Sequence, residues 1–358
     1  HIYGVPGVNL AEDFNEVLPV GSGPYEVESY TLGERITFRR RDDYWANELP
    51  YCKGFFNWKH IEFQVYYDKF SEMEALKSGH IDYLGFLGPV AYENLDGEFV
   101  QRGYIVKEQF PISRPSAMKC LTFNLRSPLF QDRRLRQIIV SLYDFEFMNT
   151  NFFFNTQDRL TSYFLRQPHL RADPGPADGA EREILTELAA RHNTQTETYV
   201  PAEALARGAY DPGKDAQGNP VPLEVRIEAA NRELDRLGWK WDPETGARRK
   251  GDEVLRFEII DTVDKGLYHF VETLQRVGIQ AKPAKLSPLE QQNRTRTFRF
   301  DMIHAWYDGR YAPGRELARH FLSDEADTPG SLNLMGLKKP AVDEVREGRR
   351  ASTDYEEG

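Results

Sequence analysis

Residues 255–306 read LRFEIIDTVDKGLYHFVETLQRVGIQAKPAKLSPLEQQNRTRTFRFDMIHAW, and their patterning decides the fold. Leu255–Asp261, Ile279–Leu286 and Phe298–Trp306 read as short strands. Between them Tyr268–Val277 and Pro288–Thr295 read as helices. A helix over Pro222–Leu237 precedes the first strand. Strand and helix alternate in pieces of this length when helices cover a sheet whose strands lie inside, so the class is α/β.

Working outward, the same layer extends back to about Cys120. Leu121–Leu125 reads as a strand. After Pro128, Asp132 opens a helix whose apolar positions Leu135, Ile138, Ile139 and Leu142 fall on one face. Aromatic residues crowd Tyr143–Phe154. Residues 167–222 are rich in Pro, Gly and charge and read as connection, interrupted by a helix over Arg182–His192. The first third differs in character. Gly21-Ser-Gly-Pro-Tyr25 is turn chemistry feeding a strand over Tyr25–Leu32. Gly33-Glu34 then reverses the chain into Ile36–Arg40. His60–Tyr67 alternates Ile61, Phe63, Val65 and Tyr67 on one face, the period of a half-buried strand. Ser71 to Ser78 predicts a helix with Glu74 at the capping-box position and Gly79 as its stop. Ile81–Leu87 and Tyr104–Glu108 read as short strands, and Pro340–Arg350 as a helix.

The 358 residues carry 46 Lys and Arg against 56 Asp and Glu, a net charge of −10, which argues against a nucleic-acid partner. No stretch of about 18 apolar residues is present to form a membrane-spanning helix. Two cysteines, Cys52 and Cys120, are too few for a disulfide framework or a four-cysteine zinc site, and their pairing stays open. The chain starts at His1 and ends in Tyr355-Glu-Glu-Gly358 with no apolar element behind it, and is expected to be an internal piece of a longer protein.

Catalytic signatures are missing. Gly21-x-Gly23 precedes a strand, so no helix N-terminus follows to hold a phosphate. No P-loop, His-Glu-x-x-His or Gly-x-Ser-x-Gly motif occurs, and no two histidines sit four apart on a predicted helix. Neither a metal nor a cofactor is expected. Cys120 beside Lys119 could be an activated thiolate, but a cysteine packed at a strand start is the stronger reading. The segment that stands out is Phe300-Asp-Met-Ile-His-Ala-Trp-Tyr-Asp-Gly-Arg-Tyr311. It leaves the core as a strand and ends on a Gly-containing aromatic loop, at the strand end where α/β proteins place ligands.

As an ordered set, these segments resemble the family 5 extracellular solute-binding proteins, the peptide and nickel receptors of ABC importers. Gly21-Ser-Gly-Pro-Tyr-Glu-Val27 is similar to the family's turn and strand, and Arg39-Arg-Arg-Asp-Asp-Tyr-Trp45 to the segment after its hairpin. Glu74-Ala-Leu-Lys-Ser-Gly-His-Ile-Asp82 resembles its helix end. Phe123-Asn124 with Pro128-Leu-Phe-Gln-Asp-Arg-Arg-Leu-Arg136, Leu237-Gly-Trp239 and Phe300-Asp-Met302 look like its later motifs. Within the family the chain most resembles the Yej-type receptors for microcin C and oligopeptides. Arg114-Pro115, Tyr143-Asp-Phe-Glu146, Thr161-Ser-Tyr-Phe164 and Pro329-Gly-Ser331 carry that likeness, which spans about residues 18–345.

The resemblance implies a type II periplasmic-binding-protein-like fold, two lobes around a hinge cleft, here truncated. Residues 1–118 would be a partial, strand-rich lobe I with a mixed sheet. Residues 119–358 would be lobe III without its C-terminal return segment, and lobe II would be absent. It further implies a monomeric periplasmic receptor that hands a peptide or peptide-like ligand to permease subunits in the inner membrane. Extended peptides would be held through main-chain hydrogen bonds and roomy hydrated pockets. By position, His304, Trp306, Tyr307, Asp308 and Arg310 would line the lobe III wall, with Cys120 and Asn124 on the hinge-proximal strand and Arg114 before it. General oligopeptide receptors carry an aspartate for the ligand's amino terminus where Arg310 stands. Either Asp308 takes that role or the ligand offers a negative group. The same fold also serves receptors for sugars, metal chelates and haem, and a hydrolase would need a constellation that the motifs do not supply.

Overall fold

The computed structural model describes residues 21–85, 88–110, 118–160, 162–164, 170, 176–195, 198–206, 211–215, 217–260, 265–307 and 314–351. The chain divides into two compact units. One runs to Gly88 and resumes over Asn94–Lys107; the other takes Pro89–Glu93 and everything from Glu108.

The first unit is built on three antiparallel strands, β1 (Tyr25–Thr31), β2 (Arg35–Arg40) and β3 (His60–Gln64), in the order β1-β2-β3. Gly33, at φ +76°, makes the reversal between β1 and β2. Four expectations are corrected here. The helix begins at Lys69 rather than Ser71, because Asp68 is its N-cap and accepts from Ser71 N at 2.8 Å. Ser71 therefore sits inside the first turn, and Glu74 pairs with Lys77 instead of closing a capping box. β3 ends at Gln64, and Phe63, Val65 and Tyr67 stay exposed, so its alternating pattern does not produce a half-buried strand. Residues 81–85 and 104–108 form no strand either; they follow helix ends and have no ladder to join.

The second unit holds the predicted α/β layer. Its sheet has the order β4-β10-β8-β9, with β4 at Met118–Phe123, β8 at Arg256–Ile260, β9 at Gln280–Ala284 and β10 at Met302–Tyr307. β10, β8 and β9 run parallel, and β4 lies antiparallel on the edge beside β10. Helices Arg133–Ser141, Leu223–Arg236 and Lys265–Arg276 pack Leu135, Ile139, Leu234, Phe270 and Leu274 against Phe257, Ile259 and Met302 of the sheet. Asp132 caps the first of these helices by accepting from Arg134 N at 2.8 Å.

Between the second helix and β8 the chain forms a small meander that the periodicity does not predict: β5 (Lys240–Asp242), β6 (Ala247–Lys250) and β7 (Glu253–Val254). Its turn is closed by the Asp242 carboxylate, which accepts from Glu244 N and Thr245 Oγ1 at 3.0 and 2.7 Å. Arg248 fastens it. Nearly all of this side chain is buried, and it donates to Asp235 at 2.6 Å, Asn231 at 2.7 Å and the Val277 carbonyl at 3.1 Å. Cys52 and Cys120 are both free thiols and lie in different units.

Candidate functional site

The strand pair β4–β10 carries the described candidates, and its register sorts them. Trp306 faces Lys119, His304 faces Leu121 and Met302 faces Phe123 on one side of the sheet; Tyr307 faces Met118, Ala305 faces Cys120 and Ile303 faces Thr122 on the other. The first side runs from core to surface. Met302 is buried and Phe123 and Leu121 pack on the core, His304 is half-buried, and Trp306 is 60% exposed. Lys119 is also exposed, and its Nζ lies 4.2 Å from the centre of the Trp306 ring. This pair occupies the carboxyl end of β10, the end of parallel strands at which open α/β sheets take ligands.

The other side is closed. Tyr307 is 1% exposed, stacks on Phe321 with the rings 10° apart, and meets His320 and Tyr163 edge-on. Its hydroxyl lies 3.2 Å from Thr122 Oγ1, which in turn lies 3.5 Å from Cys120 Sγ. Burial pushes both the Tyr307 phenol and the Cys120 thiol above their ordinary values, so both stay neutral. Neither is an activated group.

Trp306 and Tyr307, adjacent in sequence, therefore have opposite fates, because successive strand residues point to opposite faces. The Tyr307 ring lies in the interior. Asn124 is buried as well. It is 4% exposed, and its amide donates to the Phe298 and Phe300 carbonyls at 2.9 and 2.8 Å, tying the end of β4 to the approach of β10. Arg114, Asp308 and Arg310 lie outside the described residues. Among the candidates, the structure thus brings together His304 and Trp306 on one face and Cys120 and Tyr307 on the other. Sequence reading misses Lys119 as the partner of Trp306. The only signal was its position one residue before Cys120, and the pairing needs the register.

Near the opposite end of β10 lies an open depression of about 390 Å³, lined by Asn124, Arg126, Glu258, Arg294 and Asp301 among others. Its charges are already engaged. Arg294 bonds Glu258 and Glu290 at 3.2 and 2.9 Å, and Arg126 donates to the Asn333 and Leu334 carbonyls at 2.9 and 3.0 Å. Hydrogen bonding from Lys282 is the main reason that the Glu258 carboxyl sits below its ordinary value. Among the described residues no group of three or more His, Cys, Asp or Glu side chains is placed to hold a metal ion, and no helix is long and apolar enough to cross a membrane.

Residues 5–328 match the family model of the bacterial extracellular solute-binding proteins, family 5 middle. The chain belongs to that family. Over 341 residues it is 32% identical to a Brucella melitensis relative named as a binding protein, covering 93% of this chain and 53% of the relative. It is 29% identical over 330 residues to the "Probable peptide-binding protein YejA" of Agrobacterium fabrum, covering 90% of this chain and 52% of that protein. The chain thus spans about half the length of the curated relatives it matches. Among solved structures, the oligopeptide-binding protein AppA of Bacillus subtilis, in complex with a nonapeptide, superposes with a TM-score of 0.64 at 17% identity, covering 97% of this chain and 59% of that one. The α/β architecture is that of this fold.

Proposed function

We propose that this family 5 chain is part of the substrate-binding component of an ABC importer. It works outside the cytoplasm, in the periplasm, as a monomer that captures oligopeptides or peptide conjugates and delivers them to permease subunits in the inner membrane. In this reading it needs no cofactor, binds no nucleic acid and catalyses nothing. The observation that carries the reading is the family match over residues 5–328, with a relative named for peptide binding. The open Trp306 ring at the carboxyl end of the parallel strands supports it, because an indole left in solvent there is a surface that a ligand side chain can cover. Residues 1–118 are assigned to lobe I and 119–358 to lobe III. The wall of the site is assigned to His304, Trp306, Asp308 and Arg310, with Arg114 and the strand bearing Cys120 beside it.

The test is to incubate the protein with a defined peptide mixture, recover what it retains by native mass spectrometry and assay the supernatant for fragments. Retention of intact peptides is the expected result. Cleavage products overturn the assignment as a receptor without activity, and retention of nothing overturns the peptide class. A second solute class has one specific observation in its favour, since a solvent-exposed indole stacks on a sugar face as readily as on a side chain. Oligosaccharides belong in the same mixture, and their selective retention would replace the peptide reading.

A further inference from the structure

Lys119 and Trp306 lie directly opposite each other across the β4–β10 ladder, both exposed, at the carboxyl end of β10. The ammonium sits 4.2 Å from the indole centre. That contact holds the long Lys119 side chain over one ring while leaving N–H donors for a further partner. No carboxylate among the described residues pairs with Lys119. At the opposite end of β10 the two cations lining the depression are already engaged. Arg126 is committed to backbone carbonyls and Arg294 to two glutamates. The whole chain carries −10, so an anionic ligand gains nothing from the long-range field and needs a local cation where it docks.

Resting on the receptor reading above, we propose that Lys119 and Trp306 form a two-point recognition element for a ligand carboxylate next to an apolar side chain. Lys119 Nζ takes the carboxylate, and the indole carries the neighbouring apolar group. Two sources offer this chemistry, the free carboxyl terminus of a peptide and an acidic side chain within it. Lys119 is then the residue that discriminates between charged and neutral forms of one ligand, while Trp306 contributes affinity to both.

Isothermal titration of the whole chain with a retained peptide tests this. The peptide is used in three forms: as the free acid, as the carboxyl-terminal amide, and with its acidic side chains replaced by amides. The variants are Lys119→Met, Lys119→Arg and Trp306→Ala, each checked for an unchanged thermal midpoint. In Lys119→Met, affinity for the form that carries the recognised carboxylate falls about tenfold, while that for its neutral counterpart stays within about twofold. Lys119→Arg retains the preference, because a guanidinium also binds carboxylates. Trp306→Ala weakens both forms alike, by about thirtyfold. Whichever neutralised peptide loses affinity for the unmodified protein identifies the source of the carboxylate. Equal affinity for all three forms, or equal losses for all of them in Lys119→Met, overturns the element while leaving the receptor reading intact. If the folded protein binds no peptide in any form, the receptor reading fails and the element fails with it.

Discussion

The two main sheets of this molecule carry similar strand signals and end in different states. β8 places Phe257, Ile259 and Ile260 in the interior, where helices on one face and the Phe300–Ile303 cluster on the other exclude water. β3 alternates just as regularly, yet Phe63 is 59% exposed and Tyr67 more so, because no helix lies on that face among the described residues. Periodicity therefore specifies which face of a strand can be buried. Burial itself needs a second layer, and only then does apolar area contribute its roughly 25 cal/mol per Å².

Amide exchange offers the widest separation between the two sheets. Amides of β8, β9 and β10 are expected to be protected about a thousandfold more than those of β1–β3, since local opening is easy where few apolar contacts must break. Equal protection in both would break the comparison. Side-chain truncation comes next. Phe130 is fully buried and packs edge-on against Phe123 and Phe257 at 5.0 and 5.3 Å, so Phe130→Ala is expected to cost about 3–5 kcal/mol in denaturant unfolding. Phe63→Ala should stay within about 0.5 kcal/mol; a matching loss would mean that the β3 face is covered in solution.

Ion pairs sharpen the same contrast. Arg226 and Asp144 meet at 2.8 Å with little of either side chain exposed, and Arg226 also donates to the Ser141 carbonyl at 2.9 Å. Arg226→Ala strands a buried carboxylate and is expected to cost about 3 kcal/mol or more. Arg39→Ala, which removes an exposed pair with Glu26 in the first sheet, should leave the unfolding midpoint where it is. A further contrast lies in alkaline stability. Burial holds the Tyr307 phenol above its ordinary value, so the unfolded chain ionises first as pH rises, and stability is lost on the alkaline side. Between about pH 9 and about pH 11, Tyr307→Phe should lose less stability than the unaltered protein, as read from denaturant midpoints. An identical slope would mean that Tyr307 is not sealed between Phe321 and Thr122.

Much of the second unit was legible because its signals are local and agree with one another. The helix after Asp132 shows this best: the cap and the apolar positions Leu135, Ile138, Ile139 and Leu142 all mark one element, and those four side chains are buried. The β5–β7 meander was not legible, since its strands are two to four residues long and Arg248, a charged residue, is its buried anchor. The Asp68 cap was missed for a similar reason. Ser71 is an equally good cap by type, and only the backbone geometry distinguishes the two.

The candidate site divides along the same line. Sequence by itself determined the family, the α/β class and the aromatic strand end at Trp306-Tyr307, because motif order and periodicity are properties of neighbouring residues. The tertiary structure alone decided which of those two rings meets solvent and which cation stands over it. Trp306 and Tyr307 are equivalent in a string of letters. They become different only when β4 fixes the register of β10, which puts one ring beneath Lys119 and the other between Phe321 and Thr122.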